Sequence, residues 1–408
     1  MNAPVATSPR LAVQMFLAFA FAYFFSALLR AVTATLAPAF SAELGLSAGD
    51  LGLLAGAYFA GFAATQLPLG SALDRWGPRR VQLTLLSVAA LACVAFALAR
   101  SFGELILARA AIGVGVSACL MAPLTAYRHR YSDVAQLRAN SWMLMTGSLG
   151  MLASTLPVQL LLPLLGWRGL FAAVALLLLA AIALIACWVP HDVPAAPSAP
   201  QRQGGYREIF RHPTFVRLLP MGFFHYGGLV AVQSLWAGPW LTDVAGASPR
   251  GAATGLFAIN LAMLFAFLGW GLVMPRLAAR GWTTQRLIAR GVPVSLALLV
   301  SVAVLGPSAG AGWLAAWCVS CTVVSLSQPT VGQAFGPGLA GRALSAYNLV
   351  IFAGVFTVQW GVGLTIDALV GNGWQRVAAY QAAVGGFAVI CILCYLWFLR
   401  VDDRASGA

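Results

Sequence analysis

Twelve stretches of this chain are each apolar over about the length needed to cross a lipid bilayer. The hydrocarbon core is ~30 Å thick and a helix rises ~1.5 Å per residue, so about 20 apolar residues suffice. In chain order the spans fall at about 11–36, 49–70, 81–99, 103–127, 138–163, 168–189, 213–243, 251–275, 286–306, 311–335, 343–369 and 376–400. They are numbered 1 to 12 below. Charged residues make up 9% of the 408 residues, against roughly 25% in a soluble domain. That is too few to cover a water-facing surface, so most of the surface faces lipid. The expected class is an all-α membrane protein with twelve transmembrane helices.

The net charge of +13 would point to nucleic acid in a soluble protein. Here its distribution gives another reading. Every basic residue is Arg, and most fall on one side of the predicted spans, from Arg10 through the loops around Arg75, Arg128, Arg207, Arg276 and Arg342 to Arg400 and Arg404. The opposite side has only Arg100, Arg168, Arg250 and Arg376. Cytoplasmic loops are enriched in Lys and Arg, and that bias fixes orientation. Both termini are therefore expected in the cytoplasm, no nucleic-acid partner is expected, and the bilayer is the main environment. The start of the chain lacks a cleavable-signal pattern. Short loops and the absence of an organelle address favour a bacterial inner (plasma) membrane and a monomer. Cys318-x-x-Cys321 and Cys391-x-x-Cys394 have redox-like spacing, but each pair sits inside an apolar span. They read as small buried hydrophobes.

The chain repeats itself weakly at half its length, as many transporters do. Ser47 before span 2 and Ser248 before span 8 both look like N-caps. Gly70, Arg75 and Arg79 recur at the same offset as Gly271, Arg276 and Arg280. Gly166-Trp167-Arg168 before span 6 is echoed by Gly373-Trp374-Gln375-Arg376 before span 12. The expectation is two pseudo-symmetric six-helix bundles, 1–190 and 213–408. A Pro- and Gly-rich cytoplasmic linker over 191–212 would join them. Its end, Tyr206 to His212, is amphipathic enough to lie on the membrane surface.

Between spans 2 and 3 runs Gly70-Ser-Ala-Leu-Asp74-Arg75-Trp-Gly77-Pro-Arg79-Arg80. This stretch resembles the signature loop of the major facilitator superfamily of secondary transporters. The resemblance implies the twelve-helix fold of that family, with alternating access between two rocking halves. It also implies that the loop clamps the cytoplasmic side in one conformation, with Asp74 gating. On the residues themselves, Asp74 is the one acidic group in a cationic loop. It is placed to face the positive end of a helix or to pair with Arg75 or Arg79. Gly70 would allow close approach and Gly77 a tight turn. As a bare charge run with Arg80, the loop would be a topology signal only.

Arg30 lies well inside span 1. An Arg there costs at least ~2.5 kcal/mol on insertion scales and so tends to face a cavity. Alternatively it snorkels to the nearer interface. The string Ser26-Ala-Leu-Leu-Arg30 through Pro38 resembles span 1 of the organophosphate:phosphate antiporters and the anion:cation symporters, in which this Arg binds the anionic group of the substrate. Two departures limit that likeness. Span 7 reads Phe223-Phe224-His225-Tyr226-Gly227-Gly228, without the antiporters' second Arg. Val116 stands seven residues after Arg109, where the symporters carry Glu. Arg109 is either a second cationic ligand or a group that binds carbonyls in the bundle.

Asp243 and Asp367 sit near the ends of spans 7 and 11, and no acidic residue occupies the middle of a span, which argues against a buried carboxylate relay. His225 suits a proton carrier or a hydrogen-bond donor, or simply a packed residue. Tyr226, Gln233, Trp236, Asn260, Tyr347, Asn348 and Gln359 are polar groups at membrane depth, either cavity ligands or interhelical glue. Gln66, Gln328 and Gln333 share that reading. Trp236 and Trp240 flank Gly238-Pro239, an expected break in span 7. No metal cluster, cofactor motif or catalytic constellation is evident. The chain is expected to be no enzyme but a secondary transporter of a small organic anion, a carboxylate or a phosphate ester. A drug or metabolite exporter is the first alternative, and a transport-inactive solute sensor the second.

Overall fold

The computed structural model describes residues 9–191 and 205–400. Most of the expected linker therefore lies outside the described residues. The described residues are helical throughout, without strands. Ten helices are long and apolar enough to cross a membrane. The other two, Ala48–Trp76 and Asp133–Ala153, are diluted by Gly, Thr and groups such as Gln66, Arg138 and Asn140. Together they give the twelve-helix arrangement.

Several boundaries differ from the sequence reading. Span 1 runs from Pro9 to Leu44, longer than expected, because the Ala- and Thr-rich turns after Arg30 carry the helix through Pro38. Span 4 is Phe102–Val116, then a turn, then Met121–Arg130. Span 10 tightens to a 3-10 stretch over Thr322–Leu326 between Ala311–Cys321 and Ser327–Gln333. Helix Leu156–Trp188 is really two, joined at Gly166 with φ 62° and ψ 170°. Side chains avoid that backbone region, which glycine tolerates.

Compactness divides the chain differently from the sequence boundary. One unit comprises Met1–Val32 with Ala60–Ala199, the other Thr33–Phe59 with Pro200–Ala408. The last turns of span 1 and the first turns of span 2 belong to the second unit for a local reason. A Cβ on Gly238 would strike the Ala34 carbonyl oxygen, and one on Gly363 the Ala48 carbonyl oxygen.

In the first unit, Gly166-Trp167-Arg168 acts as a joint. The Trp167 ring meets Phe96 edge-on at 5.7 Å. The Arg168 guanidinium lies 4.0 Å from the Trp167 centroid and donates to the Ala99 carbonyl at 3.4 Å. The motif thus ties the start of span 6 to the C-terminal end of span 3, Pro78–Leu98.

In the second unit, span 7 (Pro213–Val244) is continuous; the expected break at Gly238-Pro239 is not there. Instead the helix widens into π turns at Met221–Tyr226, Val232–Trp236 and Trp240–Val244. Two of these follow directly on prolines, Pro220 and Pro239. Proline lacks an N–H and crowds the carbonyl four residues back. An i→i+5 turn absorbs the misfit without ending the helix. Both expected N-caps form. The Ser47 hydroxyl accepts from the Asp50 amide at 3.1 Å, and the Asp50 carboxylate accepts from the Ser47 amide at 3.0 Å. Ser248 Oγ accepts from the Gly251 amide at 3.1 Å. Tyr206–Arg211 is a short helix with Ile209 buried. Cys318, Cys321, Cys391 and Cys394 are free thiols inside the bundle, whereas Cys187 is exposed.

Candidate functional site

Arg30 is half-buried, and its guanidinium stands 5.6 Å from the Phe62 ring centroid. Span 1 continues 14 residues past it, to Leu44, which is roughly 21 Å at a helical rise. Arg109 is 1% exposed and donates through Nη2 to the Leu29 carbonyl at 2.8 Å. Ser26 Oγ donates to the Val116 carbonyl at 3.5 Å. Span 4 thus grips span 1 at Ser26 and at Leu29, the residue just before Arg30. The two arginines have different settings. Arg109 bonds a neighbouring backbone carbonyl through Nη2, and Arg30 lies beside an aromatic face.

In the second unit, the predicted polar residues fall into three small networks. Gln233 Nε2 donates to Asn260 Oδ1 at 2.8 Å, and Asn260 Nδ2 donates to the Leu256 carbonyl at 3.0 Å. Gln359 Nε2 donates to Ser234 Oγ at 2.9 Å, and Trp236 Nε1 donates to the Gln359 carbonyl at 3.2 Å. Gln328 Nε2 donates to Asn348 Oδ1 at 2.8 Å. Tyr347 is more isolated and donates to the Leu218 carbonyl at 3.0 Å. Tyr226 is half-buried next to His225. His225 is 3% exposed, and neither imidazole nitrogen has a hydrogen-bond partner among the described residues. The same holds for Gln359 Oε1. Buried polar atoms are nearly always paired, so these orphans mark positions with unspent hydrogen-bonding capacity.

Span 7 positions half of these groups. His225 and Tyr226 ride on its first π turn, Gln233, Ser234 and Trp236 on its second, and Asp243 on its third. Each π turn shifts the side-chain register. Such bulges concentrate at functional sites. Sequence periodicity alone does not reveal them.

The loop between spans 2 and 3 is only partly as expected. Gly77 has φ 81° and its amide closes on the Leu73 carbonyl at 3.0 Å, so the tight turn is real. Pro78 then opens span 3. The expected Asp74 pairs are not formed. Arg75 stacks on Trp76 at 5.7 Å, and Arg79 donates to the Ala186 carbonyl at 2.7 Å. Asp74 is exposed, with no ion pair among the described residues. Arg80 is also exposed. Nothing approaches within 4 Å of a Cβ built on Gly70, so the close approach expected there is not made in this conformation.

Sequence reading missed a polar cluster at the other end of span 2. Asp243 Oδ1 accepts from Thr242 at 2.8 Å and Oδ2 from Tyr380 at 3.2 Å, with Arg376 Nε at 3.8 Å. These groups border a cavity of about 210 Å³ that Ala37 and Ser41 also line. Asp367, on span 11, accepts from the Ala48 amide at 3.0 Å and the Gly49 amide at 2.7 Å. Asp243 and Asp367 read as helix-end residues in the sequence, and their 137- and 319-residue separations from these partners gave no local signal. A smaller apolar cavity of about 30 Å³ lies among Trp236, Trp240, Trp317 and Phe387. The Trp236/Trp240 spacing, one helical turn, was its only trace.

Residues 19–358 match the family model of the Major Facilitator Superfamily. The chain belongs to the major facilitator superfamily. No curated protein sequence matches it significantly. Among solved structures, it is similar to a bacterial homolog of the human lysosomal transporter Spinster in an inward-facing, unoccupied conformation. That likeness has 18% identity, a TM-score of 0.80 and 98% coverage of both chains. A D-xylose–proton symporter gives 15% identity and TM-score 0.73, over 97% of this chain and 98% of that one. The nucleoside transporter NupG gives 12% and 0.75, over 96% and 98%. At these identities the likeness is one of fold. This superfamily member is a multi-pass membrane transporter of the secondary type and not an enzyme.

Proposed function

We propose that this transporter carries a small organic anion, a carboxylate or a phosphate ester, by alternating access, with Arg30 as the ligand for the anionic group. The observation that carries the reading is the place of Arg30, deep in its helix and beside an aromatic ring. Arg109 donates to the Leu29 carbonyl through Nη2 and in this reading holds span 1 beside Arg30. Arg30 sits four turns before the end of its helix, beside Phe62, where snorkelling out along the helix would cover ~20 Å. A guanidinium offers a planar fork matched to carboxylate or phosphate. His225, Tyr226, Gln233, Trp236, Asn260, Tyr347, Asn348 and Gln359 then serve as uncharged hydrogen-bonding groups for the remainder of the solute. The loop from Gly70 to Arg80 acts as a gate whose Asp74 engages in a conformation other than this one. Both termini face the cytoplasm of a bacterial inner membrane, and the protein works as a monomer.

The test is binding of a metabolite panel to purified protein, scored by thermal stabilisation. Counterflow follows with acid and amide analogues of the best solute. Arg30→Ala should abolish recognition of the acid while expression is retained. Arg30→Lys should weaken it about 10- to 100-fold, since a point charge replaces a two-pronged donor. Equal recognition of the neutral amide, or normal transport by Arg30→Ala, would defeat the anion reading and favour an exporter of neutral or cationic compounds.

A further inference from the structure

The first turn of span 2 has a complete hydrogen-bond account. A helix start leaves four amides without intrahelical acceptors. Here Ser47 and Asp50 answer two of them reciprocally: the Ser47 hydroxyl takes the Asp50 amide and the Asp50 carboxylate takes the Ser47 amide, at 3.1 and 3.0 Å. The remaining two, Ala48 and Gly49, are both taken by one carboxylate, Asp367. That carboxylate belongs to a different helix, near the far end of span 11, Pro337–Gly371. Its negative charge also meets the positive end of the span 2 dipole.

Below this cap the two helices touch through small residues. A Cβ on Gly52 would overlap the Gln359 carbonyl oxygen, and one on Gly363 the Ala48 carbonyl oxygen. Gly56 lies against the Phe356 ring. Such a seam has close backbone contact at its glycines, and further along it the Phe59 and Phe352 rings stack at 6.1 Å. The specific polar fastening is at its end. If span 11 draws away, two amides lose their acceptors together and water must replace the carboxylate.

We infer that Asp367 is a latch for transport: its carboxylate fastens span 2 to span 11 while this end of the protein is shut, and must let go before this end opens. The inference rests on the alternating-access reading given above. Asp74, near the opposite end of the same helix, is exposed and has no ion pair among the described residues. One end of span 2 is thus fastened by a carboxylate while the acidic residue at its other end stands disengaged.

The experiment measures maleimide labelling of Ala37→Cys in the full chain, purified into lipid nanodiscs, with peptide mass spectrometry to resolve each site. Ala37 is 1% exposed and borders the cavity beside this seam. Asp367→Asn should raise the labelling rate about tenfold, the scale set by losing a charge-assisted hydrogen bond. Ala48→Pro removes a donor from the opposite partner at a helix position that accepts proline. It should raise the rate as well, and the double variant should add little to either. Native Cys93, buried in span 3, must stay unlabelled; its rise in parallel would mean general unfolding and would overturn the latch. Gly52→Val, which wedges the seam directly, separates the two hypotheses. Opening by Gly52→Val but not by Asp367→Asn would overturn the latch and leave alternating access standing. No opening by any variant would overturn both.

Discussion

Gln359 offers a test in which stability and recognition move in opposite directions. Its side chain is fully buried, and its Nε2 donates to Ser234 Oγ at 2.9 Å. Its Oε1 has no partner among the described residues. Replacement with Leu keeps the volume roughly constant and removes both polar atoms. The loss is one neutral hydrogen bond, about 0.5–1.5 kcal/mol; the gain is relief of one buried, unpaired acceptor, about 1–3 kcal/mol. Ser234 keeps its own donor satisfied on the Val230 carbonyl, and Trp236 keeps its bond to the residue 359 backbone. The net expectation is stabilisation by roughly 0–2 kcal/mol, seen as a rise of up to a few °C in Tm. The assay is thermal unfolding of purified protein followed by tryptophan fluorescence. Solute-induced stabilisation should shrink in the same variant, because the unspent acceptor is the group offered to the solute. A fall in Tm of more than about 3 °C, where ~1 kcal/mol is worth 2–4 °C, would refute the reasoning by showing that Oε1 is satisfied in the resting protein. Unchanged solute stabilisation would remove Gln359 from the site.

Three further outcomes are expected. Gly166→Ala forces a side chain into backbone at φ 62° and ψ 170° and should cost about 1–3 kcal/mol, read as a lower Tm with the Trp167–Phe96 joint loosened. Ser248→Ala deletes the hydroxyl that caps the Gly251 amide and should cost about 0.5–1 kcal/mol; Ser248→Asp should restore it in the same unfolding assay. Asp74→Asn should leave Tm unchanged, since Asp74 is exposed and unpaired among the described residues, yet slow transport. Unchanged transport would reduce the loop to a topology signal.

What could be read from the sequence alone were properties carried by local strings. Apolar length gave twelve spans because lipid demands ~20 residues per crossing whatever the neighbours are. Ser47 and Ser248 were legible as caps because a cap acts within three residues of itself. The Gly70–Arg80 string carried the family, and Gly77 its turn. Arg30 stood out because a charge in a span is costly wherever it faces.

Whatever depends on two distant segments meeting needed the tertiary structure. The bond from Arg109 to the Leu29 carbonyl joins residues 80 apart, and no local string announces it. Asp243 and Asp367 looked like ordinary helix ends until Tyr380 and the span 2 amides were placed on them. The Gly238-Pro239 break was misjudged because proline forbids one hydrogen bond but does not dictate how the misfit is absorbed, and here π turns absorb it. The Asp74 pairs were misjudged for a related reason. Sequence neighbours that could bond need not, when packing supplies Arg75 with a Trp76 ring and Arg79 with the Ala186 carbonyl instead. Hydrophobic length and capping are short-range and additive, so they survive in a linear string. Which polar group answers which is settled by the packing of whole helices.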